Sequence, residues 1–433
     1  MKEINIAETE IIINKNTCAF LCGNGFSMNF DENFCNIFDR LYNAHKNLLH
    51  NSSYNVYSKV NARFKHKCID NYRNVLSYVR GFSEKQLYKI FDDGLIFAQS
   101  IIENKELINY FKENHLIIEL TFGRSELDLI EEICLAKKKE AVNIEYWSIL
   151  IYFYFLIEFI DSNCYKFPDD NLFISIIRIG NINKDSIIDI SDLKSKILNS
   201  VQYNGFNTYY RLLFCIAIFS EGKHLNINNL SKVTNLNMDK IQQFLKKFNS
   251  IITLNYDNLL EQILPTKYVY HLHGSFVLNK KEYVYSQSLG LTYNKNEYVS
   301  FSDILIGDYF YNKINRAIIN NLSQNEIFNK KELHHSKILN YLIKENNINT
   351  IIIFGLNIEN DQHILRTVMT TFAFNKISNP KIIYCYFLEE EKLKFNKTFY
   401  DVITFNDELS KYVRNIEVIY VKTKEILNEY FLK

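Results

Sequence analysis

The sequence predicts an α/β fold in which a parallel sheet, drawn from both ends of the chain, is interrupted by a large all-helical insertion. Three observations predict it. Near the start, the apolar run Thr17 to Cys22 ends in Gly23-Asn24-Gly25-Phe26-Ser27, as a strand entering a tight turn does. From Ser250 onward, short apolar runs alternate with stretches of helical periodicity, the signature of parallel strands covered on both faces. Between them, residues 31–249 carry helical periodicity with few strand signals. At 433 residues the chain has room for two or three domains, or for one large domain with an insertion. The boundaries that follow are a discontinuous α/β domain, 1–30 and 250–433, and a helical domain, 31–249.

In chain order, Thr17 to Cys22 is the first strand. Helical periodicity then runs through Leu41 to Leu49, Gln86 to Phe111, Glu126 to Leu135, Trp147 to Phe159, Tyr209 to Phe219 and Met238 to Phe248, with an ambiguous apolar run at Leu116 to Phe122. Strands are predicted at Ile251 to Leu254, Tyr268 to Leu272, Tyr283 to Tyr285, Ile351 to Phe354, Ile382 to Tyr386 and Ile416 to Val421. Helices fit at Asp303 to Asn321, His335 to Lys344, Gln362 to Phe372 and Lys424 to Phe431. There is no internal repeat and no Pro- or Gly/Ser-rich linker.

Composition narrows the function classes. With 50 basic and 49 acidic residues, the formal charge of +1 gives no global attraction to nucleic acid or anionic membrane. The longest mainly apolar stretch, Trp147 to Ile160, is too short for a helix spanning a hydrocarbon core of roughly 30 Å, so a buried helix is expected. The start, Met1-Lys2-Glu3-Ile4, lacks the pattern of a secretory signal, which predicts a cytoplasmic protein. Eight scattered cysteines without a CxxC pair fit buried thiols rather than a disulfide framework or zinc site. Only 12 glycines occur where average usage gives about 30, so each one is expected where backbone geometry demands it.

Four motifs close predicted strands. Gly23-Asn24-Gly25-Phe26-Ser27 can bring backbone amides to a phosphate, with Ser27 as a further donor; the alternative is a tight strand-to-helix turn. Thr253-Leu254-Asn255-Tyr256-Asp257 presents an amide and a carboxylate at the rim where parallel sheets bind ligands, although Asn255 or Asp257 also suits a helix cap. His271-Leu272-His273-Gly274-Ser275 puts two imidazoles on one strand face. No further ligand is spaced to complete a metal site, and a His before Gly at a strand end suits proton transfer. Phe354-Gly355-Leu356-Asn357 can wall a nucleotide cleft through Gly355 and Asn357, or simply lead to a helix capped by Asp361. His334 and His335 receive no role.

In this order the four motifs resemble the sirtuin-like family, especially its bacterial NAD-consuming branch associated with phage defence. Sirtuins carry GAGxS, TxNxD, HG and a late GxS, each after a strand of a Rossmann-like sheet. The resemblance covers the N-terminal strand and the C-terminal part, and leaves the helical insertion unexplained. The deacetylase pattern GIPDFR is absent, since Met28-Asn29-Phe30-Asp31-Glu32-Asn33 follows the first motif. The four-cysteine zinc ribbon is missing, and Asn357 stands where Ser is usual.

By this resemblance Gly23, Asn24, Gly25 and Ser27 hold the pyrophosphate, while Gly355 and Asn357 border the adenosine side. Asn255 orients water or the nicotinamide ribose, Asp257 contacts the carboxamide, and His273 is the base. NAD is then a substrate, no metal is expected, and the activity is NAD glycohydrolysis in antiphage, abortive-infection defence. The resemblance leaves room for a protein activator from a defence system and for an oligomer, with no membrane and no direct nucleic-acid signature. A second reading is a sensor or scaffold that binds NAD or ADP-ribose without turnover; NAD-dependent deacylation is a third. Dehydrogenase chemistry fits least, because Glu32 and Asp39 lie in helical pattern rather than at a strand end about 20 residues after the glycines.

Overall fold

A computed structural model describes residues 2–30, 37–50, 55–58, 62–117, 119–121, 124–144, 146–160, 164–181, 193–219, 235–273, 277–278, 289–293, 297–300, 334–359, 361–402 and 407–433. The chain divides into two compact units. One comprises Met1–Phe34, Leu225–Gly274 and Asn321–Lys433, the other Cys35–His224 and Ser275–Asn320.

In the first unit the apolar runs become strands because every residue along them finds cover. Cys18–Cys22, Ser250–Thr253 and Thr350–Phe354 are buried at each position, which in a strand means both faces are packed. In chain order the strands are β1 (Lys2–Glu3), β2 (Cys18–Cys22), β3 (Ser250–Thr253), β4 (Val269–His271), β5 (Thr350–Phe354), β6 (Lys381–Tyr386) and β7 (Glu417–Lys422). They form one seven-stranded sheet in the order β1-β7-β6-β5-β2-β3-β4, every pair parallel. From β2 the chain moves outward through β3 to β4, then returns to the other side of β2 for β5, β6 and β7. This is the doubly wound, Rossmann-like order, whose reversal between β2 and β5 is where such sheets bind ligands.

Register makes that rim level. Cys22 lies opposite both Phe354 and Thr253, and Thr253 opposite His271, so β5, β2, β3 and β4 end side by side. One face of the sheet is packed by aromatic rings. Phe20 has Phe26, Phe244, Phe248 and Phe354 within 6.0 Å, and Phe354 stacks on Phe431 at 5.7 Å. Burying each such ring contributes about 1.5–3 kcal/mol.

The second unit is mainly helical. Glu84–Glu103 and Lys105–Glu113 are separate helices where one periodic run, Gln86 to Phe111, is predicted. Asn104 divides them by accepting the Leu107 N–H at 2.9 Å, capping the second helix. Trp147–Phe159 is buried along almost its whole length, with Phe38, Phe91 and Phe173 around Trp147. Short strands add to the helices: Asn55–Ser58 pairs antiparallel with Leu289–Tyr293, which pairs with Glu297–Ser300. The ambiguous run contains a three-residue strand, Glu119–Thr121. The strand predicted at Tyr283 to Tyr285 and the helix at Asp303 to Asn321 lie outside the described residues. Among the described residues no helix is long and apolar enough to cross a membrane.

Candidate active site

The site begins with glycine. After β2 and β5 two loops meet backbone to backbone: Gly25 N–H donates to the Gly355 carbonyl at 2.8 Å, and Gly23 N–H to the Phe354 carbonyl at 3.1 Å. A Cβ on Gly25 would stand 2.6 Å from the Gly355 Cα, and Gly355 itself has φ +60°, in the left-handed region. Only residues without a side chain permit this approach. These two amides are therefore engaged within the fold and are not the ones turned to a phosphate, and close loop packing by itself accounts for the glycines.

The approach of the loops brings Asn24–Ser27, one short helical turn, over the end of β3. Ser27 is fully buried and donates from Oγ to Asp257 Oδ2 at 2.8 Å. Asn255 donates from Nδ2 to Ser27 Oγ at 2.8 Å and to the Gly23 carbonyl at 3.0 Å. Asp257 Oδ1 accepts the Leu259 N–H at 3.1 Å, so this carboxylate also caps the next turn, while the N-cap position itself is Asn258. Gly23, Ser27, Asn255 and Asp257 thus form one buried network. Within it Asn255 Oδ1 is buried and has no hydrogen-bond partner among the described residues. A buried acceptor left so costs about 1–3 kcal/mol.

The two histidines of the third motif part company. His271 faces β3: Nδ1 meets the Asn255 carbonyl and Nε2 meets Glu261 Oε1, each at 2.7 Å. Burial alone lowers its pKa; the Glu261 hydrogen bond and charge, with the Asn255 carbonyl and Asp257, outweigh this and raise it. His273, 4% exposed, instead meets His363, with Nε2 atoms 3.1 Å apart, and stands 3.8 Å from Asp361 Oδ1. His363 lies in the first turn of the Gln362–Phe374 helix and Asp361 at its N-cap. His273 follows β4 and His363 precedes the helix after β5, with β3 and β2 between, so their contact spans the ends of four neighbouring strands.

Asn24 and Asn357 are exposed. Asn357 Oδ1 accepts the Glu359 N–H at 3.1 Å, which makes it a local turn former. Gly274 and Ser275 lie outside the described residues. Cys18, Cys22 and Cys385 are buried, and burial pushes their thiols up, that of Cys18 to about 11, which suits core packing and not nucleophilic chemistry. In the sequence Asp361 reads only as a helix cap, and His363 carries no role. An acidic residue two before a His, just past a strand-ending glycine, is the signal that was available for them.

No protein-family model, curated protein or solved structure matches this chain.

Proposed function

We propose that the chain is an NAD glycohydrolase that cleaves NAD to nicotinamide and ADP-ribose. The observation that carries this reading is the buried Ser27–Asn255–Asp257 network at the switch point of a doubly wound sheet, with an open acceptor on Asn255. The motif resemblance and the absence of a zinc-ribbon cysteine pattern favour NAD hydrolysis over deacylation.

In this reading the C1′–N bond breaks with both electrons passing to the pyridinium nitrogen, so nicotinamide leaves neutral and needs no general acid. Asn255, held rigid by Gly23 and Ser27, offers Oδ1 to a water or a ribose hydroxyl. The Asp257 carboxylate supplies negative potential to the cation-like ribose. Water bonds to C1′ and its proton passes to His273. Antiphage, abortive-infection defence, with an activator and a cytoplasmic setting, belongs to the same proposal.

The experiment is product analysis after incubating the purified chain with NAD, alone and with candidate activators. Nicotinamide and ADP-ribose are expected to appear together, and Asn255→Ala and His273→Ala to lower the rate by roughly 10²–10⁴-fold. A fully active His273→Ala variant removes the mechanism. Saturable NAD binding with no product identifies a sensor instead.

A further inference from the structure

We propose that His273, Asp361 and His363 bind one divalent transition-metal ion of the zinc class, and that the bound ion holds His273 out of catalysis. The second half rests on the NAD-hydrolase reading; the first does not.

Among the described residues, these three offer one ligand atom each, all within 4.8 Å of one another. A tetrahedral zinc site with bonds of ~2.0 Å sets its ligand atoms ~3.3 Å apart. The two Nε2 atoms stand 3.1 Å apart and His273 Nε2 lies 3.8 Å from Asp361 Oδ1, both within about 0.5 Å of that spacing. The imidazole planes are within 14° of parallel and the centroids are 5.3 Å apart, so the rings meet end to end, nitrogen to nitrogen. Two neutral imidazoles in that arrangement share one N–H···N hydrogen bond; a cation replaces it with two donor bonds once each ring turns by roughly 35°, because a tetrahedral ion sits off the line joining the two nitrogens.

Asp361 points the same way. It occupies the N-cap of the Gln362–Phe374 helix, where a carboxylate is a favoured cap, yet its side chain makes no capping bond. Asn5, Ser83, Ser125, Asn171 and Asn237 all make that bond at their own helices. The Asp361 carboxylate stands instead toward His273.

Two imidazoles and one carboxylate are borderline ligands, suited to Zn²⁺ and its neighbours rather than to Mg²⁺ or Ca²⁺. His273 is buried while Asp361 and His363 are half-buried, so one side stays open for a fourth ligand, unlike a closed structural zinc site. An ion there would take the lone pair with which His273 receives a proton. It would also set positive charge beside a ribose that becomes cationic.

The test uses the full-length, tag-free chain stripped with EDTA, re-equilibrated with ZnCl₂, desalted and assayed by elemental analysis and titration calorimetry. One Zn²⁺ per chain is expected. His363→Ala and the near-isosteric Asp361→Asn, each confirmed folded by circular dichroism, are expected to weaken binding by at least about 10–100-fold. Equimolar Zn²⁺ should also slow NAD cleavage by wild type at least tenfold, reversibly with EDTA, and should not slow the variants relative to their own zinc-free rates. Substoichiometric zinc, or zinc retained equally by both variants, overturns the site. A chain that binds one Zn²⁺ but never cleaves NAD keeps the site and removes the hydrolase reading; one that cleaves NAD yet holds no zinc removes the site alone.

Discussion

Ser27 is the residue on which the buried network turns, because its hydroxyl accepts from Asn255 and donates to Asp257 at once. Ser27→Ala removes both bonds and leaves one Asn255 hydrogen and one Asp257 oxygen without that partner in a buried setting. We expect a loss of about 1–3 kcal/mol, read as a lower urea midpoint, together with slower NAD cleavage because Asn255 is less firmly held. An unchanged midpoint would show that the hydroxyl does not tie the loops together. At this scale much of the site was legible: Ser27, Asn255, Asp257 and His273 are polar residues in runs that end apolar strands, and polarity there is costly unless it is used. The partners were not legible. The Gly after it sets His273 apart from His271, but nothing in the local sequence says that one faces Glu261 and the other His363. His271 is the last residue of β4 and His273 lies two residues on, past the strand end, so their partners depend on which elements lie alongside.

Elements were legible where local pattern and tertiary environment agree. β2, β3, β5 and β6 and the middle of β7 are apolar runs, and burial on both faces is what the runs report; β4, at the sheet edge, is covered fully only at Val269. β1 is different, since Lys2 and Glu3 carry no strand signal and are exposed. They form a strand because they pair with Ile419 and Tyr420 of β7, and because the Glu3 carboxylate accepts from Tyr386 and Lys392, each at 2.7 Å. The Lys392 hydrogen bond, helped by that of Tyr386, lowers the Glu3 pKa. A depressed carboxylate pKa stabilises the fold above the unfolded value of about 4.3 and loses that effect as pH falls through the folded value. Glu3→Gln is therefore expected to weaken the docking of β1 at pH 7, seen as faster amide exchange at Ile4, whose N–H donates to the Tyr420 carbonyl. The difference from wild type should shrink as pH drops below about 4. A difference that persists unchanged at low pH would assign the docking to shape and not to charge.

For the whole molecule, the limit of sequence reading was topology. β2 pairs with β3 and β5, and Cys22 stands opposite Thr253 and Phe354, hundreds of residues away in the chain. Periodicity reports what each segment buries, never which segment lies beside it, so the contact between His273 and His363 could not be read until strand order was known. The same topology makes β2 the element on which the sheet unit depends, since it joins the two halves. Phe20→Asp places an unpaired charge among Phe26, Phe244, Phe248 and Phe354. Burying such a charge costs several kcal/mol against a domain stability of about 5–15 kcal/mol. The other unit has a core of its own, and it contains Trp147, the single tryptophan, fully buried. Compact units with separate cores can unfold separately. Phe20→Asp is thus expected to erase exchange protection in peptides covering β2, β3 and β5 while Trp147 keeps the blue emission of a buried indole. A red shift of that emission in step with the loss of protection would show one cooperative molecule. Protection retained in β2 would mean that the strand is not central to the sheet, and the proposed site at its end would fall with it.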